Sequence, residues 1–290
     1  MGVLCSRVRL EEKRIFQALR EREVPFERID ARQLTFALGR NGSNDGRCAM
    51  SNLQSAIPFD VVIIRCLSQT RGLCASRLLE GQGVITVNSF RALKTCGDKV
   101  LTTMALKEHG VPTPHTAVAF SQQTALATMD AFGYPLVIKP PIGSWGRLMA
   151  KVNDREAAEA VVEHKRALDA DEPVYVQDYV AKPGRDIRTL VVGDETVYAV
   201  YRHSSHWITN TARGGKTSIC PMTAEIDRIS RAAARAVGGE IVAVDLLEAP
   251  NGQLLVNEVN HTPEFHGAVE ATDANVADRI VDYILACIET

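Results

Sequence analysis

Short apolar runs alternate along the chain with longer stretches whose apolar positions repeat at helical spacing, a pattern typical of α/β construction. The run at residues 61–66 is almost continuously apolar, as in parallel strands that are covered on both faces. We therefore expect a first α/β domain of roughly ninety residues. Its predicted strands cover 3–5, 26–30, 61–66 and 84–87, and its predicted helices cover 11–21 and 72–80.

Capping and turn residues organise the middle of the chain. Asp98, Ser121 and Asp154 can each cap the helix that follows, because their side-chain oxygens accept hydrogen bonds from the first helical N–H groups. The turn at 140–147 joins two short strands, so we expect these strands to pair antiparallel. The pattern predicts helices over 99–109, from 122 to Gly133, and from 155 to about 168, with strands over 136–139, 149–152 and 174–180.

Two hairpin signals dominate the last third. Gly193-Asp194 separates two apolar runs, and Pro250-Asn251-Gly252 separates two more, so this part predicts an antiparallel sheet. The predicted strands cover 186–192, 196–201, 241–248 and 254–260, and the predicted helices cover 223–237 and 276–289.

Composition and charge exclude several classes of protein. The 290 residues include 33 Lys and Arg against 35 Asp and Glu, a net charge of −2, which argues against a nucleic-acid partner. No apolar run is long enough for a membrane helix and no leader-like segment opens the chain, so we expect no membrane partner and a cytoplasmic location. The seven cysteines form no Cys-x-x-Cys pair, which argues against a disulfide framework or a structural zinc site.

The second hairpin carries the most informative polar residues. Asp245 lies on one strand, and Glu258 and Asn260 lie two apart on the other, so pairing across the turn brings them to one face. Oxygen donors of this kind suit Mg²⁺. A polar, solvated face is the alternative, but both carboxylates interrupt apolar runs, where they are costly unless a cation or hydrogen bonds compensate.

Two further loops could bind anions. Lys139 precedes a glycine-bearing turn whose N–H groups could approach phosphates, although no Walker motif is present and a tight hairpin is the simpler explanation of the loop taken alone. Residues 210–215, together with Arg202, combine arginines, an amide and glycines that suit a carboxylate, and a solvated loop is the alternative there. The histidine spacing matches no zinc pattern.

The order of elements and several short motifs together resemble the ATP-grasp ligases, within them the RimK-type branch, and most closely the LysX-type lysine-biosynthesis ligases. The resemblance extends over nearly the whole chain. The motifs that carry it lie at 65–72, 97–99, 142–147, 177–180, 182–188, 206–215 and 258–262. The resemblance implies an α/β (α+β) ATP-grasp fold, with a Rossmann-like pre-ATP-grasp domain at 1–96, a central nucleotide-binding subdomain at 97–178 and a C-terminal antiparallel-sheet subdomain at 179–290.

The resemblance also implies roles for individual residues, with ATP and Mg²⁺ as cofactors. The nucleotide would contact Lys99, Lys139, Gly143, Ser144, Trp145, Gly146, Arg147, Gln177, Asp178, Tyr179, Val180, Asp186 and Asn210. The metal would be held by Asp245, Glu258 and Asn260, and the catalytic residues would be Lys139, Arg202, Asn210 and Arg213. The substrate would contact Arg188, Arg202, Thr211, Ala212, Arg213, Gly214, Thr262, Glu264 and Phe265.

The implied reaction joins the α-amino group of an acidic amino acid to the C-terminal glutamate side chain of a small acidic, LysW-like amino-group carrier protein. The resemblance also implies that the enzyme is a homodimer or homotetramer. The carrier carboxylate takes the γ-phosphate of ATP, and the amine then displaces phosphate from the acyl phosphate. Because charge gathers on phosphoryl oxygens, bound cations matter more than a protein nucleophile. The sequence shows no obvious general base.

Three positions depart from the family pattern, which has Met at 263 and Lys-Asn at 266–267. Here they are Pro263, His266 and Gly267, beside the presumed amino-acid pocket, so the amino acid could be α-aminoadipate, glutamate or a related one. Two other functions stay open. A RimK-like ligase could add glutamate directly to a protein tail, or a decayed scaffold could serve as a nucleotide-binding regulatory module, although Lys139, Asp245, Glu258 and Asn260 are all present.

Overall fold

The first sheet is parallel and is covered on both faces. A computed structural model describes residues 1–36, 59–143, 146–209 and 215–289. Alternate residues of the inner strands point into two cores, Val61 and Ile63 into one and Val62 and Ile64 into the other, which confirms the pattern predicted from their apolar run. The strands, in the spatial order β2-β1-β3-β4, are β1 Gly2–Cys5, β2 Glu27–Asp30, β3 Val61–Ile64 and β4 Ile85–Val87. The helices of this part are α1 Leu10–Glu21, α2 Gln69–Glu80 and α3 Phe90–Cys96.

The second sheet is antiparallel and has one helix-covered face. Its strands follow the order β5-β8-β6-β7, with β5 Thr116–Ala119, β6 Leu136–Lys139, β7 Ala150–Val152 and β8 Val174–Asp178. The helices beside it are α4 Lys99–Glu108, α5 Gln122–Phe132 and α6 Arg155–Leu168. Leu136 and Ile138 pack under α5 and α6. The alternate residues of β6, Val137 and Lys139, therefore point to the opposite face.

The third sheet contains the two predicted hairpins. Its order is β11-β10-β9-β12-β13, with β9 Arg185–Val192, β10 Glu195–His203, β11 Lys216–Ile219, β12 Ile241–Glu248 and β13 Leu254–Asn260. The helices of this part are α7 Ala224–Val237, α8 His266–Thr272 and α9 Val276–Glu289. Helix α7 covers one face, where Ile187 and Val244 are buried. Their neighbours Asp186, Arg188 and Asp245 therefore share the other face.

Four of the elements in the described residues were not predicted from the sequence. Helices α3 and α8 have only seven residues each, too few to display a helical period. Strand β5 reads Thr-Ala-Val-Ala, without bulky residues, and β11 is an exposed edge strand whose apolar content is a single isoleucine. These elements form through tertiary contacts rather than through local patterning.

Two negative expectations can be compared with the described part of the chain. None of the helices described there is long and apolar enough to span a membrane. Six cysteines fall within the described ranges, and all six are free thiols.

A buried ionic network joins the first domain to the segment before α8. Glu12 is fully buried, and it binds Arg65 at 2.9 Å and Arg9 at 2.8 Å. Arg65 also donates to the carbonyl oxygen of Pro263 at 3.0 Å, and Arg9 binds Glu264 at 3.0 Å. The network therefore fixes the position of residues 263–264 against α1.

Removing the carboxylate from this network should destabilise the fold. In Glu12→Ala the guanidinium of Arg65 stays buried without its counter-charge, so we expect the free energy of unfolding to fall by about 3–5 kcal/mol. Urea denaturation measures this change. Glu21→Ala, at the exposed end of the same helix, is the matched control and should change stability by less than about 0.5 kcal/mol. Equal losses in the two variants would contradict the role of the network.

Candidate active site

A cavity lies between the second and third sheets. It contains about 720 Å³, part of it open to solvent, and strands of both sheets line it. Lys139 and Gln177 reach it from the second sheet, and Arg202, Asp245 and Glu258 reach it from the third. Because the faces of the two sheets that are turned away from α5, α6 and α7 meet here, chemically active side chains from distant parts of the chain converge on one volume.

Lys139 is the most deeply buried cation of this cavity. It is 4% exposed, and its Nζ donates to Gln177 Oε1 at 2.6 Å and to Asn257 Oδ1 at 2.8 Å. Burial lowers the pKa of Lys139 to about 8, against an opposing effect from the charge of Glu258. Two neutral amide oxygens orient the ammonium group without neutralising it, so its charge stays available to an anionic ligand.

A β-bulge brings Asn257 to Lys139. Asp245 pairs with Glu258, but the next residue, Leu246, pairs with Val256, so Asn257 is the extra residue on β13. A bulge re-aims a side chain, and both Asn257 and Glu258 accordingly line the cavity. Simple alternation would place them on opposite faces, which is why the sequence does not predict Asn257 as a site residue.

Two arginines and two carboxylates form a largely buried network, of which Asp186, Arg202 and Asp245 line the cavity. Arg202 binds both oxygens of Asp186 at 2.7 Å and binds Asp245 at 3.0 Å. Arg188 binds Asp245 at 3.0 Å. Burial opposes the charged form of Arg202, but Asp245 and Asp186 outweigh it and raise the pKa of Arg202. Burial would likewise raise the pKa of Asp186, but the charge of Arg202 lowers it below its usual range.

Lys182 is a second buried cation that sequence analysis left without a role. Its Nζ donates to Thr209 Oγ1 at 2.7 Å and lies 3.7 Å from Asp186. Burial lowers the pKa of Lys182, and Asp186 opposes that effect. The only available signal was its place in the 182–188 motif.

Apolar side chains form the remaining wall of the cavity. An apolar wall beside cations suits a nucleobase with its phosphates. Gly146 packs against this wall with φ +64°, and an added Cβ would lie 3.1 Å from Ile208, so this position requires glycine. The apolar lining residues are Val137, Met149, Val180, Ile208 and Leu247.

The proposed magnesium ligands fit a hard cation by their donor chemistry. Asp245 and Glu258 are direct cross-strand partners, and Asn260 lies two residues further along the same face. Carboxylate and amide oxygens next to a phosphate-sized, cation-lined space are the donors that Mg²⁺ prefers. Arg188 and Arg202 already compensate the charge of Asp245.

A second, smaller cavity adjoins the first across Arg202. Arg202 lines both spaces, and Arg188, Thr217, Glu264 and His266 line only the smaller one. Its volume is about 420 Å³, part of it open to solvent.

 Arg188 and Arg202 give the smaller cavity a cationic wall, which suits a ligand with carboxylate groups.

The structure brings most of the predicted nucleotide and metal residues together. Gly143 lies beside the cavity, since its carbonyl oxygen accepts from Lys99 Nζ at 2.7 Å. Arg147 and Asn260 do not line the cavity between the second and third sheets, the nucleotide cavity. The predicted residues that line it are Lys99, Lys139, Gly146, Gln177, Asp178, Tyr179, Val180, Asp186, Arg202, Asp245 and Glu258.

The predicted substrate residues are divided. Arg188, Arg202 and Glu264 line the smaller cavity, whereas Phe265 is 1% exposed and packs in the hydrophobic core. Thr262 contacts His261, with 2.9 Å between its hydroxyl and Nδ1. The predicted residues Ser144, Trp145, Asn210, Thr211, Ala212, Arg213 and Gly214 lie outside the described residues.

A cation-lined cavity between two antiparallel sheets, preceded by a parallel α/β domain, is the arrangement expected of an ATP-grasp ligase. The chain belongs to the RimK-like ATP-grasp family. The RimK-like ATP-grasp domain matches residues 96–284, and the LysX preATP-grasp domain matches residues 1–95. These matches confirm the family, the fold class and the enzyme class that the sequence motifs predicted.

Named relatives resemble the chain over its length. It is 38% identical to a glutamate–LysW ligase, ArgX, from Sulfurisphaera tokodaii, over 96% of this chain and 95% of the relative. It is 31% identical to an α-aminoadipate–LysW ligase, LysX, from the same organism, over 97% and 96%. The crystal structure of a RimK domain ATP-grasp protein from Sphaerobacter thermophilus superposes with a TM-score of 0.77 at 22% identity, over 97% and 98% of the two chains.

Proposed function

We propose that this protein joins the α-amino group of an acidic amino acid to the C-terminal glutamate side chain of a small acidic, LysW-like carrier protein, with ATP cleaved to ADP and phosphate. The observation that carries this proposal is the pair of adjoining cavities that share Arg202, one suited to a nucleotide and one to a carboxylate ligand. The full-length similarity to ligases named for LysW supports the same carrier class.

Glutamate is the amino acid we propose first. Two relatives from one organism differ in the amino acid named, and identity is 38% to the glutamate ligase against 31% to the α-aminoadipate ligase. Pro263, His266 and Gly267 depart from the LysX pattern beside the smaller cavity, and His266 and Gly267 line it. Both observations favour an amino acid other than α-aminoadipate.

The first chemical step forms the acyl phosphate. A carboxylate oxygen of the carrier attacks the γ-phosphorus, and ADP leaves. Lys139 and Lys182 supply positive charge where phosphoryl oxygens gain negative charge, and Lys99 reaches the same cavity from α4. Mg²⁺ held by Asp245, Glu258 and Asn260 would add further charge neutralisation.

The second step transfers the acyl group to the amine. The amino nitrogen attacks the acyl carbon, the carbon–oxygen bond to phosphate breaks, and inorganic phosphate leaves. Arg202 lies between the two cavities, so its guanidinium can hold the amino acid's carboxylate while it faces the phosphoryl group. Holding both reactants in adjoining spaces lowers the entropic part of the barrier.

Intact mass spectrometry of the carrier tests this proposal. The protein is incubated with a LysW-like carrier, Mg-ATP and glutamate, α-aminoadipate or aspartate in separate reactions. A mass gain of one amino acid minus water is expected, greatest with glutamate. A carrier without its C-terminal glutamate is the matched control and should gain no mass. ATP hydrolysis without a mass gain, together with glutamylation of a protein tail, would favour the direct tail ligase instead.

A further inference from the structure

A histidine in the wall of the smaller cavity contacts a buried carboxylate behind it. His266 Nδ1 lies 2.6 Å from Glu11 Oε1, and His266 lines the cavity with Arg188 and Arg202. The side chain of Glu11 is 2% exposed, while that of His266 is 50% exposed. The imidazole is therefore accessible to a ligand, and the carboxylate behind it is shielded from water.

Glu11 is held in place by more than the imidazole. Its Oε1 accepts the backbone N–H groups of Phe265 at 3.2 Å and His266 at 3.3 Å. Burial would raise the pKa of Glu11, but the hydrogen bonds from the side chain and backbone of His266, together with the charge of Arg9, outweigh this and lower the pKa to about 2. Glu11 is thus a carboxylate at neutral pH. It lies on α1, and these hydrogen bonds hold it against the start of α8.

The ionised carboxylate decides the tautomer of His266. A carboxylate accepts hydrogen bonds and cannot donate them, so Nδ1 carries the proton that it shares with Glu11. In the neutral ring Nε2 then has a free electron pair and can accept a proton. The imidazolium that forms would be stabilised by Glu11, which is the logic of a histidine base oriented by a carboxylate.

The location of this pair matches a need of the reaction. The α-amino group of an amino acid carries a proton at neutral pH, and it must lose that proton before it can attack an acyl carbon. His266 lines the cavity that adjoins the nucleotide cavity through Arg202, and Glu11 contacts its imidazole from behind. Within the described part of the nucleotide cavity, the buried lysines are occupied with oxygen partners rather than placed as bases.

We propose that His266, oriented by Glu11, is the general base that deprotonates the amino group of the incoming amino acid. The inference rests on the proposed function. An N–H bond of the ammonium breaks, its proton passes to Nε2, and the electron pair stays on nitrogen. That pair forms the amide bond while phosphate leaves with the electrons of the broken carbon–oxygen bond, and the nitrogen's second proton passes to the departing phosphate. The imidazolium returns its proton to solvent.

Several of the elements that pack around His266 place ionisable groups near it. Positive groups favour loss of a proton from the nearby ammonium, and the carboxylates favour the imidazolium that results. Strand β11 contributes the uncharged Thr217. The ionisable groups are Glu11, Arg9 and Glu264 around the start of α8, Arg188 on β9, and Tyr198 and Arg202 on β10.

The test compares two nucleophiles in His266→Gln. With the amino acid at about pH 7, kcat/KM for carrier ligation should fall about 100-fold, and the gap to wild type should narrow as pH rises and free amine becomes abundant. Hydroxylamine is unprotonated at neutral pH and needs no base. Hydroxamate formation on the carrier should therefore stay within about twofold of wild type.

The controls separate a base from a structural role. His164→Gln alters an exposed histidine on α6 and should match wild type with both nucleophiles. Glu11→Gln should lower kcat/KM with the amino acid and leave hydroxamate formation within about twofold of wild type, because the imidazolium loses its counter-charge. Equal losses with both nucleophiles in His266→Gln, or no loss with either, would overturn the proposal. If wild type forms neither amide nor hydroxamate, the proposed function itself fails.

Discussion

Glu258→Ala is expected to abolish carrier ligation, with a loss of roughly a thousand-fold or more, equivalent to about 4 kcal/mol of transition-state stabilisation. Among the proposed metal ligands, Glu258 has the largest electrostatic effect on Lys139. Its charge opposes the lowering of the pKa of Lys139 by burial. Loss of its carboxylate removes a hard oxygen donor from the proposed Mg²⁺ site. ADP release at increasing Mg²⁺ measures the effect.

The metal assignment has its own readout. Binding of Mn²⁺ in the presence of ATP, followed by electron paramagnetic resonance, should weaken in Glu258→Ala before any turnover is measured. Glu195→Ala, which removes a half-exposed carboxylate at the start of β10, is the matched control and should leave Mn²⁺ binding and ligation unchanged. Near-normal activity of Glu258→Ala would remove the basis for a metal at this hairpin.

The sequence predicts the site best where the chain follows simple alternation. Asp245 and Glu258 face each other across β12 and β13 as the hairpin predicts. Asn257 could not be predicted, because its orientation depends on a bulge that the residue pattern does not reveal. Strands and helices of ordinary length were predicted near their observed positions, whereas short elements such as β11 and α8 depend on contacts with distant residues.

Ion pairs between residues that are far apart along the chain could not be predicted from the sequence either. The cost of burying Asp245 was the argument for a metal, but Arg188 and Arg202 compensate that charge in the folded chain. Glu11 and His266 are separated by 255 positions, and only the packing of α1 against the start of α8 brings them together. Spacing along the chain carries no information about such contacts, so the general base was not among the predicted residues.

Lys139→Met should weaken ATP binding by about 100-fold and lower ligation at least as much, because a buried ammonium at the phosphates is replaced by an uncharged side chain of similar length. The charge of Lys139 also predicts a pH dependence. With its pKa near 8, free Lys139 is mostly cationic below that pH and mostly neutral above it. Phosphate binding favours the cation, so ATP affinity of the wild type should fall by up to about tenfold per pH unit above pH 8.

Isothermal titration calorimetry tests both parts of this prediction. In buffers of different ionisation enthalpy, the wild type should take up a proton on binding ATP above about pH 8, and Lys139→Met should lack this contribution. Lys139→Arg keeps a positive charge throughout and should show neither the proton uptake nor its pH dependence. Lys107→Met, on the exposed side of α4, is the matched control and should bind ATP as the wild type does. Identical proton uptake in the wild type and Lys139→Met would show that another group, such as the buried Lys182, titrates on binding, and Lys139 would then have to be cationic throughout this range.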